Sequence, residues 1–522
     1  MGQEGRFELH MNAEPRDGGR RRGLNIILLV LGLLLVFNAA YLAAYATPDL
    51  FYVINALLHP FLGVVAAVVL FLYLKRHREI LRDLSGKLSV ICLALAAGFG
   101  IYLFFVGMTV PHSVALYLHV GFSIGGLLFL LLRLRSWARG RTELSFVRKG
   151  WQVAGAGFVA ALVFYGGVSL YHHYFPNPQD TIRNPLTAPT SMYGEGGGKN
   201  SLMFPSSAET TNGGTIPKQF FLNSKSCEPC HKDIYDQWEH SMHHFSSFNN
   251  QWYRKSIEYM QDTVGIKPSM WCAGCHDHAL AFTDMMQKYP IREIEFTPEG
   301  QAGLGCMSCH AIAQVTSTMG NGSYVMHYPQ LDRLVASKNP LIHYIANFAI
   351  LLDPKPHRRV FLKPFHHERK DVAEFCSSCH KVHLDYPVNH YRWIRGFDDY
   401  DNWQGSGVSG NSARSFYYPP KPMVCIDCHM PLVKSHDFGN IDGYVHSHRF
   451  VAANTAVPTS HGDTSQVKDV EEFLKGAVTV DLFAIAQEPK GKSEEMLSRG
   501  ALAGGPADVN HVRSGRRVCP RF

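Results

Sequence analysis

Five segments of this chain share one form: Cys227-Glu228-Pro229-Cys230-His231, Cys272 to His276, Cys306 to His310, Cys376 to His380, and Cys425 to His429. Cys-x-x-Cys-His is the attachment signature of c-type haem. Two thioether bonds tether the porphyrin, and the adjacent His is placed to coordinate the iron from the proximal side, so no preformed pocket is needed to hold the group. One copy could be chance or half of a zinc site. Five copies consume ten of the twelve cysteines and leave only Cys92 and Cys519, which sets zinc and disulfide readings aside. The expected cofactor set is five covalently bound haem c. The attachment residues are Cys227, Cys230, Cys272, Cys275, Cys306, Cys309, Cys376, Cys379, Cys425 and Cys428, and the proximal ligands are His231, His276, His310, His380 and His429.

Apolar residues are concentrated in the first third of the 522-residue chain. Leu24–Ala44, Phe51–Leu74, Leu88–Val110, Val114–Leu134 and Trp151–Tyr171 are runs of about twenty residues, the length that crosses a hydrocarbon core of ~30 Å. The first two are joined by a turn at Thr47-Pro48-Asp49. The expected fold is mainly α: an N-terminal five-helix transmembrane bundle, then a haem-packed, loop-rich α-helical multihaem cytochrome c domain.

Basic residues fix the orientation, because cytoplasmic loops retain Lys and Arg. Arg20 to Arg22 precede the first run, Lys75, Arg76, Arg78, Arg82 and Lys87 separate the second from the third, and Arg133, Arg135, Arg139, Arg141, Arg148 and Lys149 separate the fourth from the fifth. This predicts a cytoplasmic N-terminus and, after an odd number of crossings, a haem region in the periplasm of a bacterial inner membrane, where haem is covalently attached. The first run is long and lacks a small-residue cleavage site, so it is expected to be an uncleaved anchor rather than a signal peptide. The formal charge of +7 owes much to these arginines, and no basic-aromatic pattern points to nucleic acid.

The chain is expected to divide into a basic N-terminus (1–23), the membrane module (24–175), a Gly/Ser/Pro-rich periplasmic linker (176–219), a pentahaem domain (220–458) and a C-terminal tail (459–522) that could be a truncated further domain. Helices are expected over Lys232–His244, Gln251–Asp262 and His343–Leu352. Val478 to Ile485 reads as a strand without a partner, and Arg499 to Phe522 as a disordered tail.

Each iron needs a sixth ligand or an open site, and His is the commonest choice here. Sixteen non-motif histidines follow His173, including His240, His243, His244, His278, His327, His343, His357, His366, His367, His383, His390, His436, His446, His448, His461 and His511. After the first motif come Tyr235, Gln237-Trp238 and Ser241-x-His243. This stretch resembles the opening of the cytochrome c-552/c-554 family of multihaem electron carriers. The resemblance implies that His243 is a distal ligand to a neighbouring haem rather than to its own. The end of the region looks like the same group: Met430-Pro431 after the last motif, then His436-Asp437-Phe438-Gly439 and His446-Ser447-His448-Arg449-Phe450. It implies that a late His caps an earlier iron, with His448 the first choice and His436 the second; His383 is a further distal candidate. The resemblance spans about Phe220 to Pro458.

Between the last two motifs, Arg392 and Arg395 precede Asp398, Asp399 and Asp401. They could build an anion pocket or a calcium site, but pairing of the arginines with haem propionates is the preferred reading. No Cys-x-x-Cys-Lys motif occurs. Inside the membrane runs, His59 and His119 lie at matching depth below the outer surface and could hold a b-type haem or a quinol headgroup, or simply bond to a neighbouring helix. Two functions remain open. One is an electron carrier linking quinol, or a quinol dehydrogenase, to a periplasmic redox partner; the other is an oxidoreductase acting on a small nitrogen or sulfur compound at one open haem.

Overall fold

The computed structural model describes residues 17–139, 145–368, 370–390, 392–412 and 418–477. The expected strand at Val478–Ile485 and the residues after it lie outside the described residues. Five long helices open the fold: α1 (Asp17–Ala44), α2 (Leu50–Arg76), α3 (Leu84–Val106), α4 (Ser113–Ala138) and α5 (Ser145–Tyr174). All are long and apolar enough to cross a bilayer, and a helix satisfies its own backbone hydrogen bonds there. The chain is a multi-pass membrane protein. α3 lies along α4, and α1 packs on α2 and α5.

Polar residues at the helix ends set the boundaries. Asp49 starts α2 by accepting from the Tyr52 N–H at 2.7 Å, and Asp83 starts α3 by accepting from the Gly86 N–H at 2.9 Å. α3 therefore begins a turn before its apolar run and stops at Val106. Gly107 follows with φ +80°, and a Cβ there would meet the Leu351 carbonyl oxygen at 2.3 Å, so the site demands glycine. On the basic side, Arg133 pairs with Asp83 at 3.1 Å and donates to the carbonyls of Ile80 and Glu79 at 3.2 and 2.7 Å.

Beyond the membrane helices the elements shorten. They include α6 (Lys232–Glu239), α7 (Gln251–Val264), α8 (Gln330–Val335), α9 (Pro340–Leu352) and α10 (Lys355–Phe361). α6 is shorter than its sequence suggested because the chain turns at Ser241, whose N–H reaches the Trp238 carbonyl at 2.9 Å. α9 is longer: Asn339 accepts from the Leu341 N–H at 2.9 Å, and Pro340 occupies the first helical position. Among the described residues, three small sheets complete the fold. β1 (Glu209–Thr210) runs parallel to β3 (Tyr324–Met326), which pairs antiparallel with β2 (Ile312–Val315). β4 (Lys381–Leu384) pairs with β5 (Ile394–Asp398), and β6 (Leu432–Lys434) with β7 (Tyr444–His446).

Residues 176–219 differ from the linker that their composition suggested. Met192, Met203, Phe204 and Ile216 are buried, the Ser207 N–H reaches the Asn321 carbonyl at 2.8 Å, and β1 lies within this segment. A few apolar side chains and backbone bonds fix it even though glycine and proline dominate its sequence. Met203 and Ile216 join a core with Phe221, Phe248, Phe282, Met286, Tyr324 and Phe365. The chain divides into two compact units, residues 1–450 and 451–522. The described part of the second carries helices Ala456–Ser460 and Thr464–Leu474, the latter capped by Asp463 on the Gln466 N–H at 3.0 Å.

Candidate haem centres

The motif is a single turn of chain. In the first, the N–H groups of Cys230 and His231 return to the Cys227 carbonyl at 3.2 and 2.9 Å; in the fourth, those of Cys379 and His380 return to Cys376 at 3.2 and 2.8 Å. The others lie on helices Met270–His276, Cys306–His310 and Cys425–His429. Residues three and four apart share a helix face, so one turn presents both sulfurs and the imidazole to the same porphyrin.

A metal-bound His almost always donates its other ring nitrogen to a fixed acceptor. His231 does so to Asp437 at 2.7 Å and His380 to Asp399 at 3.1 Å, whereas His276 uses the Ser246 carbonyl at 3.0 Å and His310 the Phe361 carbonyl. Asp399 is thereby explained, and Asp437 is buried. The acidic run caps a turn, Asp398 accepting from the Asp401 N–H at 3.2 Å. Arg395 bonds Asp398 and Asp401, and Lys381 reaches Asp401 at 2.8 Å. No cluster of three metal-ligating side chains occurs there among the described residues.

Three motif histidines face a histidine from elsewhere in the chain. Ring centres are 6.3 Å apart for His231 and His357, 6.3 Å for His310 and His448, and 6.1 Å for His380 and His243. Two imidazoles on opposite sides of one metal, each with a metal–nitrogen bond of roughly 2.0 Å, have centres about 6 Å apart. His243 and His357 are half-buried, and each has a buried Nδ1 with no hydrogen-bond partner, a costly state unless another group pairs with it. Burial, reinforced by neighbouring histidines, pushes the pKa of His243 and His357 down to about 3 and that of His448 to about 4, so each ring keeps a free lone pair. His448 is held by its Nδ1 at the His446 carbonyl, 2.8 Å, and by its N–H on the Gln237 side chain, 2.9 Å. The chain reaches His243 through a close crossing at Gly303, φ +60°, where a Cβ would sit 1.7 Å from the His244 carbonyl oxygen.

The other two distal candidates lie elsewhere. His383 is committed to Glu195 at 2.7 Å and to Asn321, and His436 is exposed at the surface. His357 carried no local signal that set it apart from its fellow histidines; α10 brings it to His231. His276 is faced by Tyr253, whose ring stacks on it at 4.5 Å and whose hydroxyl bonds Asp277.

The motifs are also neighbours of one another. The thiols of Cys227 and Cys306, of Cys275 and Cys379, and of Cys376 and Cys425 lie close enough to shift one another's ionisation. Motif one thus abuts motif three, and motif four abuts both two and five.

In the membrane module, the rings of His59 and His119 are 6.2 Å apart. His59 Nδ1 lies 2.9 Å from Asn38 Oδ1, and His119 Nδ1 lies 2.8 Å from the Ala96 carbonyl. Asn38 is itself held by Asn55 at 3.0 Å, so four helices fix the two rings.

Thioether-forming motifs with oriented histidines define a c-type cytochrome that binds haem c covalently and transfers electrons. The family model for cytochrome c554 and c-prime matches residues 226–311, which contain the first three motifs. Neither curated proteins nor solved structures gave a match. If all five motifs are used, mass spectrometry of the purified protein should find five haem additions. Cys309→Ala should weaken one attachment and leave four, while a protein holding zinc and no porphyrin would overturn this assignment.

Proposed function

We propose that this chain is a membrane-anchored pentahaem cytochrome that carries electrons between the quinol pool and a periplasmic redox partner. The observation that carries this reading is the repeated facing of histidine pairs at 6.1 to 6.3 Å. Paired imidazoles saturate an iron and favour electron transfer over substrate binding. His231 with His357, His310 with His448 and His380 with His243 would each hold one haem c. The haem supplies a one-electron couple; Asp437, Asp399, Ser246 and Phe361 orient the proximal rings. Proximity of motif one to three and of motif four to two and five, with Cys309 of motif three near Cys376 and Cys379 of motif four, supports a continuous route through all five.

The matching pair in the membrane module supports a bis-imidazole site for a b-type haem between His59 and His119, with quinol as the lipid-soluble donor. Basic loops on the other side of the bundle support a periplasmic haem region.

A second reading, an oxidoreductase acting on a small nitrogen or sulfur compound, is favoured at one motif. There Tyr253, bonded to Asp277, stacks on the His276 ring with the planes 15° apart, and both are groups able to move protons. Electron paramagnetic resonance of the oxidised protein separates the two. Low-spin ferric signals alone are the result expected of a carrier. A substantial high-spin signal that shifts when nitrite, hydroxylamine or sulfite is added would replace the carrier reading with the enzyme.

A further inference from the structure

α9 is a 13-residue helix in which no Asp, Glu, Lys or Arg occurs between Pro340 and Leu352. At about 1.5 Å per residue it is roughly 20 Å long, too short to span a bilayer but of the length and composition of an interfacial or re-entrant segment. Its C-terminal half packs on the membrane bundle. Ala349 lies against Val53, Ile350 against the same cluster with Leu57, and the Phe348 ring meets Phe104 at 5.2 Å. The Met108 N–H bonds the Leu351 carbonyl at 3.2 Å. Val53 and Leu57 belong to the first two turns of α2, so α9 sits against the bundle to a depth of roughly 10 Å below the start of that helix.

Among the described residues, protein covers the N-terminal half only in part. Leu341 is 64 % exposed, Tyr344 67 %, and Ile342 and Ile345 40 % each. An uncharged face of this kind is unusual in water. Its polar side chains are already partnered: His343 Nδ1 lies 2.7 Å from the Val335 carbonyl, and Asn347 donates to the His343 carbonyl at 2.9 Å. At its end, the buried Tyr52 hydroxyl donates to the buried Asp353 carboxylate at 2.6 Å, and Lys355 reaches the Leu42 carbonyl at the end of α1. α10 and His357 follow directly.

We propose that α9 is an interfacial helix whose Leu341–Ile345 face is immersed in lipid acyl chains of the outer leaflet. The face is continuous with the lipid-facing surface of the bundle, and lipid is the occupant its chemistry fits. The haem-bearing part is then held by the membrane itself as well as by its tether, with His357 seated just above the bilayer surface. This inference rests on the reading of the five long helices as membrane-crossing.

The test uses the full-length, haem-loaded protein in lipid nanodiscs, with Cys92→Ser and Cys519→Ser removing the other free thiols. Leu341→Cys and Ile345→Cys are compared with Val68→Cys, exposed in the middle of α2, and Leu186→Cys, fully exposed outside the bundle. Both α9 thiols should react with a charged, water-soluble maleimide at least tenfold more slowly than Cys at 186. Both should also be captured by lipids carrying a photoactivatable acyl chain. Rates equal to that at position 186, with position 68 protected, would overturn the interfacial helix alone. Protection with cross-links to a second copy or another protein in place of lipid would overturn it too. A reactive position 68 would instead discard the membrane-crossing reading beneath it.

Discussion

Replacing His119 with Ala is expected to abolish quinol-driven reduction of the periplasmic haems while leaving their reduction by dithionite intact. Dithionite reaches exposed haems directly, so the comparison isolates the membrane step. The expectation follows from the 6.2 Å separation of His59 and His119 and from the acceptors that hold each Nδ1, Asn38 Oδ1 and the Ala96 carbonyl. Those bonds leave each Nε2 available, as a metal-ligating histidine requires. His59→Ala should behave the same way. Both variants should also lose the b-type component of the pyridine haemochrome spectrum and keep the c-type component. Unchanged quinol-driven rates in both proteins would reduce the five helices to an anchor and assign the donor role to a separate quinol dehydrogenase.

His357→Ala should convert one low-spin haem to high spin without loss of covalent haem, since attachment depends on Cys227 and Cys230 alone. The ring it removes faces His231 at 6.3 Å and stacks on Phe361 at 4.2 Å. Nothing in the local sequence of His357 forecasts this effect. His436→Ala provides the contrast. Its ring is exposed, and the spectrum should not change. A high-spin signal from His436→Ala together with an unaltered His357→Ala protein would reverse the proposed pairing for the first haem. Stability should follow the same order, because truncating the packed, half-buried His357 ring removes its contacts with His231 and Phe361 whereas trimming an exposed one removes little.

The Cys-x-x-Cys-His turns and the long apolar helices were legible because contiguous residues spell them. Cys, Cys and His at positions i, i+3 and i+4 form one turn whatever the rest of the chain does. Apolar runs of bilayer length become helices because no other conformation satisfies the backbone in lipid. Even so, helix ends such as those of α3 and α9 shifted by about a turn, moved by single caps at Asp83 and Asn339.

What the sequence left open was which histidine meets which. His231 finds Asp437 across 206 residues, and His448 is positioned by Gln237 across 211. The family resemblance placed His243 on a neighbouring iron, and the fold sets it opposite His380. His357 and the buried course of residues 176–219 had no such guide. Such pairings arise where distant segments cross, at Gly303 and Gly107 for example, and are decided by the sum of many weak packing contacts. One chain position carries no record of that sum, so the Cys-x-x-Cys-His turns were fixed by sequence and the histidines that face them by tertiary structure alone.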